Sequence, residues 1–177
     1  MKRTQDELKE MLADFARGLR GAGIRMTPQR LEIYRQTAAT TAHPDIETIH
    51  REVRKTMPGV SLDTVYRALA LFGELGLIST VRPQGHHVRF DANISPHHHF
   101  ICSLCGATFD FEDRDLDNLR IPKSACALGR VVSRHVELRG LCTSCAAGAA
   151  GAAPHSGSSR TIGTRSHRKY TTSTRRD

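Results

Sequence analysis

No stretch of this 177-residue sequence stays apolar for the roughly 20 residues that a membrane-crossing helix needs. Its first residues, Met1-Lys2-Arg3-Thr4-Gln5-Asp6-Glu7, lack the apolar run of a secretory signal and carry charges in its place. A soluble, cytoplasmic chain with no membrane partner is therefore expected. Acids are scarce at one end: residues 146–177 hold one against six Lys and Arg, whereas residues 1–145 hold 17 against 20. Much of the net charge of +8 thus sits in a segment that also lacks apolar periodicity, with residues 146–153 wholly Ala and Gly. A disordered basic tail is the expectation for 146–177.

What is present is strongly patterned. Leu8, Met11, Leu12, Phe15 and Leu19 fall on one face of a helix that the glycines at 18, 21 and 23 bring to an end. Thr27-Pro28 starts a second helix through about Thr37, with Thr as cap and Pro where its missing N–H costs nothing. A third begins near Asp45 and stops at Pro58-Gly59. Ser61 caps a fourth, whose buried stripe of Val65, Ala68, Leu69, Phe72 and Leu75 leaves Thr64, Tyr66 and Arg67 largely free. Two short strands, Leu77 to Val81 and His87 to Phe90, flank turn residues at Arg82 to His86. Helices closed by such a hairpin describe a winged helix-turn-helix.

A second unit spans about residues 95–145. Its pattern reads as strands at Phe100 to Ser103 and Ala107 to Phe111, a short helix at Asp113 to Arg120 and a strand at Arg130 to Leu138. Cys102-Ser103-Leu104-Cys105 and Cys142-Thr143-Ser144-Cys145 are two C-x2-C pairs. Each lets a tight turn aim two thiolates at one ion, and together Cys102, Cys105, Cys142 and Cys145 complete a closed tetrahedral Zn2+ site. A reducing compartment disfavours disulfides, and zinc is preferred over a rubredoxin-like iron centre. Cys126 stands apart and reads as a buried apolar thiol.

Pro96-His97-His98-His99-Phe100 leads into the first strand of that unit. In extended backbone His97 and His99 share a face and can hold one ion, while His98 points away. Asp91, Asp110 and His43, in the turn Ala42-His43-Pro44, are further candidates that spacing alone does not group.

Gly23-Ile24-Arg25-Met26-Thr27-Pro28-Gln29-Arg30, Ala42-His43-Pro44, Ser61-Leu62-Asp63-Thr64-Val65-Tyr66-Arg67, His97-His98-His99-Phe100-Ile101-Cys102-Ser103-Leu104-Cys105-Gly106 and Gly140-Leu141-Cys142-Thr143-Ser144-Cys145 occur in this order. In combination, over about residues 8–145, they resemble the ferric uptake regulator (Fur) family. The resemblance implies an α+β chain with three parts: a winged helix-turn-helix domain (1–92), a small α/β dimerisation and metal-sensing domain holding the four-cysteine zinc (93–145), and the tail. It groups His43, Asp91, His97, His99 and Asp110 around a regulatory Fe2+ or Mn2+. Asp110, where iron-uptake members usually carry Glu, leans the resemblance toward the family's peroxide-sensing branch, in which His43 and His97 would be the oxidised residues.

The implied function is metal-dependent repression by a homodimer on a palindromic double-stranded DNA operator. Ser61, Thr64, Tyr66 and Arg67 would face the DNA, and Arg25 and Arg30 would hold backbone phosphates. Two positions depart from the family. Arg134 replaces a His that some relatives use in a third metal site, so that site is not expected, and Asp63 stands in the recognition helix where relatives often have a small residue. The alternative within the family is a regulator of iron, zinc or manganese uptake without peroxide sensing. A zinc deaminase, the nearest enzyme reading, is disfavoured because His97-x-His99 lacks the required Glu and no Pro precedes either cysteine pair. A nucleic-acid binder relying on the tail would gain only salt-sensitive, nonspecific attraction.

Overall fold

Four helices begin where the sequence places side-chain caps. The computed structural model describes residues 2–83, 85–131 and 134–150. Its first helices are α1 (Gln5–Gly21), α2 (Pro28–Ala38), α3 (Ile46–Thr56) and α4 (Leu62–Glu74). Side-chain oxygens of Thr4, Thr27, Asp45 and Ser61 accept the backbone N–H three residues on, and Thr4 and Glu7 form a reciprocal capping box. Each such cap contributes about 1 kcal/mol.

The helices close around stacked aromatic rings. Phe15 lies on Tyr34 with centroids 3.9 Å apart, and Phe72 meets Phe15 edge-on at 4.8 Å. Ile33, Ile49, Val53, Val65 and Leu69 complete an interior drawn from all four helices. A hairpin follows, with β1 (Ser79–Val81) antiparallel to β2 (Arg89–Asp91) and Ser79 opposite Asp91. The first strand starts later than its apolar run, because Leu77 donates its N–H to Phe72 at the end of α4 (2.8 Å) and Ile78 turns into the helical core.

The second unit is a three-stranded sheet with short helices. It comprises β3 (His98–Cys102), β4 (Thr108–Phe111), α5 (Arg114–Asp117), α6 (Lys123–Cys126), β5 (Glu137–Gly140) and α7 (Thr143–Ala150). The strand order is β4-β3-β5, with β3 antiparallel to β4 and parallel to β5. A parallel neighbour requires a long crossover, and the stretch carrying α5 and α6 supplies it. Among the described residues no helix is long and apolar enough to cross a membrane.

Three expectations need correction here. The helix expected over 113–120 is the single turn α5, since the Asn118 side chain donates to the Arg114 carbonyl (2.7 Å) and ends it. The strand expected from Arg130 begins only at Glu137, where pairing with His99 starts, and α6 was not foreseen. Residues 146–150, assigned to the tail, continue α7, as alanine's helix propensity allows. The remaining tail, 151–177, lies outside the described residues.

Glu32 is a charged side chain inside the helical domain, 8% exposed. Its carboxylate accepts from Arg35 (2.7 and 2.8 Å), Gln36 (2.8 Å) and, across from α3, Thr56 (2.7 Å). Burial pushes its pKa up, but these donors outweigh burial and hold it at about 2, against an ordinary 4.5. A depressed carboxylate stabilises the fold above its unfolded pKa, and that contribution is lost as pH falls toward the folded value. Glu32→Gln should therefore cost about 3 kcal/mol at pH 7 in urea denaturation. The gap between the two proteins should narrow as pH drops from 5 toward 2; a gap independent of pH would show that the carboxylate charge is not what stabilises the α2–α3 contact.

Candidate metal centres

Ser103 donates to Gly140 and Cys102 to Ala107, each at 2.8 Å, and Gly106 returns to Cys102 at 2.9 Å. These bonds shape the turn that ends β3. Gly106 has φ +68°, and a Cβ there would meet the His86 ring at 2.6 Å, so only glycine fits. The second cysteine pair lies at the start of α7. As a result one sulfur each of Cys102, Cys105, Cys142 and Cys145 lies within 4.8 Å of the others.

The Cys105 and Cys142 sulfurs are 3.9 Å apart. Thiolates bound tetrahedrally to zinc at about 2.3 Å stand roughly 3.8 Å from one another, so the spacing fits one ion. The Cys142 N–H donates to the Cys102 sulfur (3.4 Å), and this donor with that of Cys105 draws the Cys102 thiol down to about 6. Contact with Cys142 and Cys105 pushes Cys145 up to about 12. Four sulfurs this close cannot all ionise without a cation among them. Cys126, expected to be buried, is exposed on α6 and lies outside the cluster. Its short helix makes no buried contacts that would enclose it.

The second centre gathers His43, Asp91, His97, His99 and Asp110, again with one donor atom each within 4.8 Å of the rest. Asp91 ends β2; its Oδ1 accepts the Asn93 N–H (2.8 Å), which turns Oδ2 toward the imidazoles. That oxygen lies 2.9 Å from His97 Nε2, 3.5 Å from His99 Nε2 and 3.6 Å from His43 Nε2. Asp110 sits opposite His99 in the β3–β4 register, and its Oδ1 lies 2.8 Å from His43, 3.5 Å from His99 and 3.7 Å from His97.

His43 is reached from the other unit. The turn at Ala42-His43-Pro44 is fastened to β2 by Arg89, which donates to the His43 carbonyl (3.1 Å), and by Phe90, whose N–H donates to Pro44 (3.0 Å). His97 Nδ1 donates to the Ser95 carbonyl (2.7 Å), which directs the Nε2 lone pair inward. Arg89 and Ser95 were not singled out from the sequence, and no motif there marks them.

The donor atoms are close, and His97 Nε2 and His99 Nε2 stand 2.9 Å apart. His43 Nε2, Asp91 Oδ2 and Asp110 Oδ1 are buried without an aligned hydrogen bond among the described residues. Around a six-coordinate ion with bonds of about 2.0–2.2 Å, adjacent donors stand roughly 3 Å apart and opposite ones roughly 4.2 Å. The observed spacings are of that kind, and three imidazoles with two carboxylates form a donor set of borderline softness suited to a divalent transition metal.

The electrostatics agree with a cation at this point. Burial disfavours a charged His43, but contact with Asp110 and Asp91 more than offsets it and lifts the imidazole to about 9. Asp91 is held well below the usual carboxylate range, where the pull of His43, His97 and His99 exceeds the opposing effect of burial. His97 is raised, chiefly by Asp91.

His98, on the opposite face of β3, accepts the Val136 N–H at Nδ1 (3.2 Å) and faces Asp117 at 3.3 Å. Arg134 spends its guanidinium on the carbonyls of Leu119 (2.9 Å) and Asp117. Of the residues expected to meet DNA, Tyr66 and Arg67 are exposed on α4. Ser61 is exposed at its cap, while Thr64 is half-buried and bonded to Ser61 (2.9 Å). Arg25 and Arg30 meet at the entry to α2, where Arg30 donates to the Arg25 carbonyl (2.6 Å).

The ferric uptake regulator family model matches residues 21–137. The chain is 32% identical over 139 residues to the peroxide-responsive repressor PerR of Staphylococcus epidermidis, covering 78% of this chain and 90% of the relative. Among solved structures it is similar to the Campylobacter jejuni peroxide stress regulator, at 25% identity and a TM-score of 0.58 over 76% of this chain and 98% of that one. It shares its fold with the Helicobacter pylori ferric uptake regulator Fur, at 22% identity and a TM-score of 0.63 over 82% and 97% of the two chains. With both its central residues and most of its length so matched, the chain belongs to the ferric uptake regulator family and is a metal-responsive transcriptional repressor rather than an enzyme.

Proposed function

We propose that this repressor senses peroxide through a regulatory Fe2+ or Mn2+ held by His43, Asp91, His97, His99 and Asp110, with Zn2+ at the four cysteines. The observation that carries the reading is the five-donor cluster, in which His43 and Asp91 come from the winged-helix unit and the other three from the sheet unit. An ion bound there favours the one arrangement that brings both sets together, and so shifts the population toward it. Bound Fe2+ would supply an electron to peroxide, which Mn2+ would do far less readily. His43, Asp91, His97, His99 and Asp110 would supply the protein donors to that ion. Asp110 and the 32% identity to a peroxide-responsive repressor support this branch over an uptake regulator.

Residues 1–92 act in this reading as the DNA-binding domain, and the helical core, drawn from Phe15 to Ala92, supports that boundary. Residues 93–145, with the rest of α7, form the sensing and dimerising domain. Phe109 and Leu138 are 48% and 46% exposed and flank Phe100 in register across the sheet. A second copy would cover this apolar row and give a homodimer. Its two α4 helices would read the half-sites of a palindromic DNA operator in the cytoplasm through Ser61, Thr64, Tyr66 and Arg67, with Arg25 and Arg30 on phosphates. The basic residues beyond α7 would add salt-sensitive attraction to DNA.

Replacing Cys102, Cys105, Cys142 or Cys145 by Ser should abolish tight zinc binding and unfold the sheet domain, whereas Cys126→Ser should leave both unchanged. Zinc content and circular dichroism of the purified variants report this, and a Cys126 variant as damaged as the others would overturn the clamp. For the sensor, iron-loaded protein exposed to peroxide should gain one oxygen on His43 or His97 by mass spectrometry and leave its operator, while manganese-loaded protein should stay bound and unmodified. If both forms stay unmodified and bound, the uptake-regulator alternative is the better account.

A further inference from the structure

We propose that Asp63 sets base preference on α4 by holding the Arg67 guanidinium in position for a guanine, an inference that rests on α4 being the DNA-reading helix. Asp63 stands in the first turn of α4, the part of a recognition helix that reaches base edges. One turn later Arg67 meets it, Nε to Oδ2 at 2.9 Å, with both side chains mainly exposed. An exposed ion pair of this kind adds little to folding. On a surface that meets phosphates its carboxylate also repels the ligand, so its place there calls for another role.

The pairing supplies one. It engages the stem-side Nε and leaves the terminal edge, Nη1 and Nη2, free of partners among the described residues. That edge matches the O6 and N7 acceptors of guanine in the major groove. Holding a long side chain in place before contact also removes part of the entropy that binding would otherwise cost. Arg30 lines the same cleft between α2 and α4, but its Nη1 is committed to the Arg25 carbonyl, so Arg67 is the cation that Asp63 holds.

The test is selection of preferred sequences from randomised duplexes by manganese-loaded full-length protein, comparing wild type, Asp63→Asn, Arg67→Ala and the double variant. Zinc content and circular dichroism should match across all four. Asp63→Asn and Arg67→Ala should lose guanine preference at the same base pair of each half-site, by about five- to a hundredfold. The double variant should discriminate no worse than Arg67→Ala alone. Asp63→Asn should also bind random-sequence duplex more tightly than wild type, since a negative charge has left the interface. Unchanged guanine preference in Asp63→Asn would overturn the proposal. So would a change at a different base pair, which would mean that the carboxylate reads a cytosine directly. If wild type selects no sequence at all, the DNA-reading role of α4 fails first; a selected sequence indifferent to Asp63 sinks only this inference.

Discussion

Two carboxylate oxygens and three imidazole nitrogens share one buried space, and much of the local architecture serves to bring them there. Burying carboxylates costs several kcal/mol each unless opposite charge is close. Asp91 and Asp110 are both in contact with the His43 imidazole, which is why His43 is lifted to about 9. On the proposed reading a divalent cation would supply the same compensation from one point. The end of β2, the turn before α3 and the start of β3 are thus fixed by a common electrostatic requirement. The wing does more than present a loop, since its last residue, Asp91, faces all three imidazoles.

On the proposed reading the sheet unit would depend on bound ions in a further sense. Among the described residues its buried side chains are Ile101, Thr108, His97, His98, His99, Cys102 and Cys142, a set with one large aliphatic residue. So small a core contributes little hydrophobic stabilisation, and a bound ion can supply what burial does not. The two centres also share a strand. From His99 to Cys102 is three residues of β3, roughly 10 Å of extended chain, so order imposed at the cysteine clamp passes to the histidines through a hydrogen-bonded strand.

Features governed by short-range rules were legible in the sequence. Caps at Thr27, Asp45 and Ser61 located three helices within a residue or two, the i, i+2 parity of extended backbone paired His97 with His99, and the C-x2-C spacing grouped the cysteines. The failures lie where tertiary contacts decide. β5 begins where β3 offers a partner rather than where apolar residues begin. Cys126 is exposed because α6 packs against too little to enclose it. Asp91 and Asp110 lie far from His43 along the chain, a separation that carries no spacing signal, so only resemblance could unite them before the fold did. The Asp63–Arg67 pair was open to discovery, since i, i+4 opposite charges on a helix meet by geometry alone.

The five donors are not equivalent in how the backbone presents them. His43 has φ +47°, an unfavourable conformation for a residue with a side chain and more so before a proline, with a cost on the order of 1–3 kcal/mol. Arg89 and Phe90 hold the turn against that cost, and on the proposed reading a bond to the ion does so as well. Damage to the His43 imidazole would remove that bond while the strain remains, so the turn would gain by moving away. His97 differs: its backbone is unstrained, and its Nδ1 anchors to Ser95 in the segment joining the two units. Loss of either histidine therefore acts at the junction between the units, through released strain in one case and a loosened connection in the other. On the proposed reading His43 and His97 would be the oxidised donors, placed where a local chemical change would alter the geometry that the DNA-reading helices depend on.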